Sequence, residues 1–138
     1  MKGLVELNEV SRVYGGDGAA TIALDRVTLS VESGEFTSVM GASGSGKSTL
    51  LNLVAGLDRA TSGTIAVDGQ DLTRAGETEL ARFRRSHIGF VFQFFNLLPN
   101  LTVLENVKVP VELAGMRSAA AGARAQELLE ELGIADLA

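Results

Sequence analysis

Residues Gly41 to Thr49 read GASGSGKST, and no other stretch constrains the fold as strongly, because it fits G-x-x-x-x-G-K-[ST], a loop whose backbone wraps an anion. Successive N–H groups along Gly41, Ser43, Gly44, Ser45, Gly46 and Thr49 suit the oxygens of a nucleotide polyphosphate. The Lys47 ammonium reaches the β and γ oxygens, and the Ser48 hydroxyl is a ligand for Mg²⁺. Glycine is required at Gly44 and Gly46, where a Cβ would hold the backbone off the anion or forbid the required φ. A Gly/Ser linker that happens to carry a lysine shares the composition but lacks the setting. Here the loop follows a β-prone run, Phe36 to Met40 (FTSVM), and precedes Leu50 to Ala55 (LLNLVA), whose apolar pattern reads as a helix stopped by Gly56. Strand, loop and helix in that order aim the positive end of the helix dipole at the phosphates.

Around the loop the chain reads as mixed α/β. Leu4 to Val13 and Ile22 to Val31 are β-rich runs joined by the turn-prone GGDGAAT, and Ser33-Gly34-Glu35 turns the second into the loop's own strand. They predict an antiparallel layer leading into a P-loop core. Thr64 to Val67 followed by Asp68-Gly69 gives a strand with a tight turn, and a helix is expected over Glu77 to Arg85. Ile88 to Phe92 (IGFVF) is the kind of short apolar run that is buried on both faces of a parallel sheet, with Phe90 and Phe92 in the core. Thr102 and Glu105 stand in S/T-x-x-E spacing and open a helix by reciprocal capping. A last helix is expected from Arg117 to Leu132, with Ala121, Ala125, Leu128, Leu129 and Leu132 on one face and Gly133 as the stop.

Composition sets limits on partners. The 138 residues are 46% hydrophobic with a net charge of −5, which suits one domain with a core and argues against a nucleic-acid footprint. Arg82, Arg84 and Arg85 read as a solvated helix face. The absence of cysteine excludes disulfides and a Cys-based zinc site and fits a reducing cytosol. The opening MKGLVELNEV has no apolar signal core, so no export is expected. The longest uncharged run, Ile88 to Leu104, includes Gln93, Asn96, Pro99 and Asn100 and falls short of the roughly 20 apolar residues that span a bilayer.

Several motifs fall into one order: Tyr14 after the first strand, SGEF, GASGSGKST, TSGTIAVDG, and FVFQ ending at Gln93. Over essentially the whole chain this order resembles the nucleotide-binding domain of ABC transporters. Phe83 to Gly115 (FRRSHIGFVFQFFNLLPNLTVLENVKVPVELAG) is similar to the branch containing macrolide-export and lipoprotein-release ATPases. The resemblance implies an ABC-type P-loop NTPase fold over residues 1–138, with the N-terminal antiparallel β layer and the start of the helical subdomain, and ATP and Mg²⁺ as ligands. In that family an aromatic at the position of Tyr14 stacks on adenine; from the residues alone, a strand-end tyrosine packing on its own sheet stays open. Gln93 would be the Q-loop residue, acting with Lys47 in catalysis and with Ser48 at Mg²⁺; a polar residue marking a strand end is the other reading. Phe94, Phe95, Leu97 and Leu98 are expected in a loop, where the family receives the coupling helix of its transmembrane permease; a merely buried loop is the alternative.

The resemblance also sets expectations for the chain beyond Gln93. ABC ATPases carry an LSGGQ signature, a Walker B strand ending in Asp-Glu and a switch histidine, none of which occurs here, so a truncated domain is expected that binds ATP without hydrolysing it. It is also expected to present an unpaired apolar strand edge. His87 precedes Gln93, the wrong order for the switch, and reads as a helix-to-strand junction, while Glu105 reads as a cap and not as a base. The expected setting is a homodimer of such domains with a permease on the cytoplasmic membrane face, without nucleic acid. The alternatives are a non-hydrolysing regulatory module or an ABC ATPase of DNA repair. The short spacing from Lys47 to Gln93 speaks against the latter.

Overall fold

β1 (Val5–Tyr14) has a strand partner on each edge: antiparallel β2 (Thr21–Val31) on one and antiparallel β3 (Ser62–Val67) on the other. The two-residue β4 (Gln70–Asp71) completes a four-stranded sheet in the order β2-β1-β3-β4. The computed structural model describes residues 3–15, 19–94 and 96–137; Gly16 to Gly18 of the expected turn and Phe95 of the expected apolar loop lie outside the described residues. The chain divides into two compact units, one up to Ile88 and one from Gly89.

In the first unit the expected antiparallel layer is present, but its apolar pattern is not a simple alternation. Leu7 and Val10 are both buried although three positions apart. A bulge reconciles them: the register shifts between Leu7 and Val10, and Glu9 takes a φ of 49°, which absorbs one residue and returns Val10 to the core face. Arg26 does the same in β2 with a φ of 44°. The amides at these irregular positions are taken up by hydroxyls, Glu9 N–H donating to Thr28 Oγ1 at 3.0 Å and Arg26 N–H to Ser11 Oγ at 2.9 Å. The Asp68-Gly69 hairpin forms as expected, both residues having positive φ (48° and 73°).

Two helices cover this layer. α1 (Lys47–Val54) contributes Leu53 and α2 (Glu77–His87) contributes Leu80 and Phe83 to a core shared with Leu7, Val10, Leu24, Ile65, Val67 and Leu72. Each such buried side chain contributes about 1.5–3 kcal/mol. α2 runs two residues past the expected Arg85. His87 ends it as a junction residue, its ring stacked on Phe83 at 5.0 Å and its Nε2 3.6 Å from Asp68 Oδ2 in the hairpin. Arg84 corrects the reading of a merely solvated basic face: it donates to the Gly56 carbonyl at 2.6 Å and to Glu77 Oε1 at 2.9 Å, tying α2 to the end of α1.

Two expected strands are not strands. Phe36 to Met40 and Ile88 to Phe92 have no ladder partner among the described residues, so their backbone groups gain nothing from the extended geometry. Phe36 is 97% exposed, and Phe90 and Phe92, expected in the core, are 40% and 44% exposed with their rings stacked on each other at 5.2 Å. The apolar content was legible; the pairing is a property of neighbours.

In the second unit, α3 (Val103–Leu113) starts with the expected capping box, Glu105 N–H donating to Thr102 Oγ1 at 3.2 Å and Thr102 N–H to Glu105 Oε2 at 2.8 Å. Asn106 ties the preceding loop to it: its side chain accepts from Leu98 N–H and donates to the Leu98, Leu101 and Thr102 carbonyls. α4 (Ser118–Glu131) buries Ala121, Ala125 and Leu129 on one stripe. Leu132, expected on the same stripe, is 72% exposed, because it caps the helix end one residue beyond the last turn. A 3-10 turn, Ala135–Leu137, follows. Phe94, Leu97 and Leu98 are exposed outside any helix or strand, as expected. Among the described residues no helix is long and apolar enough to cross a membrane.

Candidate functional site

The loop from Gly41 to Gly46 leads directly into α1, with Gly46 as its N-cap. Gly46 has a φ of 87° and Gly44 of 78°, conformations that L-residues adopt only at a cost. At Gly46 space forbids a side chain as well: a Cβ would collide with the Ala23 carbonyl and come within 2.9 Å of Leu24 Cδ2, whereas at Gly44 no atom lies within 4 Å. The loop therefore packs its last glycine hard against β2 while its earlier glycine stays open.

That packing builds a cavity of about 200 Å³, with Thr21, Ile22 and Ala23 of β2 on one side and Gly44, Gly46, Lys47, Ser48 and Thr49 on the other. The first turn of α1 has no side-chain cap and no acidic residue. Its leading N–H groups thus have no partner within the helix, and the positive end of the helix dipole faces the same place. Lys47 folds back over the loop, its Nζ donating to the Ala42 carbonyl at 2.6 Å and the Gly41 carbonyl at 3.0 Å, with Ser45 Oγ at 3.4 Å. Ser45 N–H in turn donates to the Ala42 carbonyl at 3.3 Å, and Ser43 lies in the same turn. The ammonium is held at the loop by weak carbonyl acceptors that phosphate oxygens readily replace. Ser48 lines the cavity, and a hydroxyl is a hard oxygen donor of the kind that could hold Mg²⁺. Among the described residues, no carboxylate lines the cavity.

Tyr14 closes the end of β1 opposite Thr21, which itself lines the cavity. Its hydroxyl donates to Asp58 Oδ2 at 2.7 Å, and the Arg12 guanidinium lies over the ring, 4.3 Å from its centroid. Arg12 also grips Asp58 in a fork, at 3.0 Å to Oδ2 and 2.8 Å to Oδ1. Partial burial pushes the Asp58 carboxyl up. The Tyr14 hydroxyl, the Arg59 N–H and the Arg12 charge outweigh it and hold the group below the ordinary carboxylate range. Neither Arg12 nor Asp58 emerges from the sequence reading. Arg12 had a signal, since positions i and i+2 of a strand share a face, but Asp58 lies 44 residues from Tyr14 and no local pattern announces it.

The first unit thus brings the loop residues together and sets Tyr14 at the neighbouring strand end. Gln93 belongs to the second unit, exposed in the turn with Phe94. A larger cavity of about 550 Å³ lies between β4 and α2, lined among others by Gln70, Arg74, Glu79, Arg82 and His87. Size does not select the site here. What selects it is the convergence of backbone N–H groups and a lysine on one small cavity.

The sequence profile of the ABC transporter family matches residues 24–138. The lipoprotein-releasing system ATP-binding protein LolD of Geobacter metallireducens is 45% identical over 98% of this chain and 60% of its own length. The macrolide export ATP-binding/permease protein MacB of Shigella flexneri is 46% identical over 99% of this chain and 21% of its own. Among solved structures, the dimeric post-hydrolysis state of the ATP-binding cassette MJ0796, bound to ADP and Pi, superposes with a TM-score of 0.84 at 42% identity, covering 91% of this chain and 56% of that one. The chain spans little more than half the length of the ATP-binding subunits it matches. A glycine loop packed onto β2, running into an uncapped helix and matched along its whole surroundings by cassettes of one kind, leaves a single assignment: the chain belongs to the ABC transporter family, in its ATP-binding portion.

Proposed function

We propose that the chain is the ATP-binding portion of a subunit that couples ATP binding and hydrolysis to export, or to release of lipoproteins, at the cytoplasmic face of the membrane. One observation carries the reading: the Gly44–Gly46 backbone geometry places Lys47, Ser48 and the start of α1 around one cavity. In this reading Lys47 and the N–H groups from Gly41 to Thr49, Ser43 and Ser45 included, hold the phosphates. Tyr14 stacks on adenine, Ser48 and Gln93 hold Mg²⁺, and Lys47 and Gln93 serve the chemistry. Mg²⁺ held there would supply charge neutralisation for the phosphates. The names of LolD and MacB support lipoprotein release or macrolide export as the class of work, and the dimeric cassette supports a homodimer, with a permease as membrane partner.

The 138-residue chain by itself is proposed to bind Mg-ATP without turning it over, since among the described residues no carboxylate lines the phosphate cavity to orient a water. Calorimetric titration of Mg-ATP into the chain and its Lys47→Ala form tests both points. Removing a charged hydrogen bond costs about 1.5–3 kcal/mol, so affinity is expected to fall roughly 10- to 150-fold, with no phosphate release above the Lys47→Ala control. Equal affinities would refute the phosphate cradle, and Lys47-dependent turnover would refute the reading that these 138 residues bind without hydrolysing.

A further inference from the structure

Tyr14 is the chain's only tyrosine, and its ring is held at two places by residues outside the phosphate loop. The Asp58 carboxylate fixes the hydroxyl, and the Arg12 guanidinium covers one face, so a stacking base would take the opposite face. Asp58 is itself anchored: its N–H donates to the Asn52 carbonyl at 3.3 Å, and Leu57 N–H to the same carbonyl at 2.8 Å, at the C-terminal end of α1. Strand β1 is tied to the same segment, Thr61 N–H donating to the Ser11 carbonyl at 2.8 Å and Val13 N–H to Thr61 Oγ1 at 3.0 Å. The eight-residue helix α1, roughly 12 Å long at 1.5 Å per residue, thus carries the phosphate loop at one end and the anchor of the tyrosine at the other.

We propose that Arg12 and Asp58 are positioning residues for base recognition, clamping Tyr14 so that one ring face is presented to adenine at a distance from the phosphate loop fixed by α1. This rests on the nucleotide reading given above and adds to it the device that sets the adenine platform. A free strand-end tyrosine would lose side-chain freedom on stacking; a clamped one has already lost it, so more of the stacking energy appears as affinity. Arg12 is a guanidinium for a reason: its planar fork holds both Asp58 oxygens while its carbon sits over the ring.

The test compares ATP with inorganic tripolyphosphate, which has the phosphates and no base, on the 138-residue chain and its Asp58→Ala, Arg12→Ala and Tyr14→Phe forms. With one tyrosine and no tryptophan, intrinsic emission reports the Tyr14 ring alone. A phenol donating to a carboxylate emits weakly, so Asp58→Ala is expected to brighten the emission. It is also expected to weaken ATP about three- to tenfold, part of the value of a base–aromatic stack, while tripolyphosphate changes less than about twofold. Arg12→Ala follows the same split, and Tyr14→Phe, which keeps the ring and the Arg12 contact, loses about threefold or less for ATP. Equal losses for both ligands would reduce the clamp to a folding role and overturn the proposal. So would unchanged ATP affinity, or tighter ATP binding by Arg12→Ala, which would mean that Arg12 covers the face the base needs. If the parent chain binds neither ligand, the phosphate-loop reading fails, and the clamp with it; Lys47-dependent tripolyphosphate binding separates that failure from a failure of the clamp alone.

Discussion

Replacing Gly46 by alanine and comparing it with the same change at Gly44 separates two ways in which a phosphate loop depends on glycine. Both residues have strongly positive φ, 87° and 78°, where an L-residue costs about 1–2 kcal/mol, partly offset by about 0.4–1 kcal/mol from the stiffer unfolded chain. That leaves a loss near 1 kcal/mol for Gly44→Ala, since its Cβ meets nothing within 4 Å. At Gly46 the new Cβ strikes the Ala23 carbonyl and crowds Leu24 Cδ2 at 2.9 Å. The Ala23 carbonyl belongs to a β2 strand already held by β1, so the loop must give way, which adds about 1–3 kcal/mol. A total near 2–4 kcal/mol is a large share of the 5–15 kcal/mol that keeps an ordinary domain folded. Urea unfolding followed by circular dichroism reads the difference, and tripolyphosphate titration of whatever remains folded reads the cradle. The expected order is parent, then Gly44→Ala slightly lower, then Gly46→Ala well below both with phosphate affinity lost. Equal midpoints for the two alanine variants would refute the reasoning, because they would show that contact with β2 does not define the loop.

Two further outcomes arise from contacts away from the loop. Thr102→Ala removes the cap of α3 and is expected to cost about 0.5–2 kcal/mol in denaturant unfolding while leaving tripolyphosphate affinity unchanged; a loss of binding instead would mean that the cap does more than start a helix. Asp58→Asn tests linkage to pH. The folded carboxyl lies below its unfolded value of about 3.9, so its stabilisation is complete above that value and is lost as pH falls through the lower folded one. The parent is therefore expected to exceed Asp58→Asn in stability near neutrality, with the gap closing from about pH 4 downward, and a gap that persists in stronger acid would refute the assignment.

The features legible in the sequence were those that local chemistry decides. The turn at Asp68-Gly69 and the Thr102/Glu105 box depend on residues within a few positions of one another and form as read. The GASGSGKST loop runs into its helix without the expected strand before it, and the α4 stripe buries Ala121, Ala125 and Leu129 but not Leu132. The failures have the opposite character. FTSVM and IGFVF have strand composition, yet a strand exists only where a neighbour supplies donors and acceptors, and composition says nothing about neighbours. Arg84 reads as a surface charge until the Gly56 carbonyl, 28 residues away, comes within 2.6 Å. The Tyr14 clamp was half visible for the same reason: Arg12 shares the tyrosine's strand, whereas Asp58 arrives through the fold.

The paired bulges of β1 and β2 bear on how the sheet finds its alignment. A slip by two residues preserves the inward and outward alternation, so hydrophobic pattern alone does not forbid it during folding. The exchange between the strands does: Ser11 of β1 accepts from Arg26 of β2, and Thr28 of β2 accepts from Glu9 of β1, a reciprocal latch that engages at one register and at no neighbouring one. A misaligned hairpin would lose both hydroxyl acceptors and strand two amides at once, so mispaired chains release and search again instead of locking in.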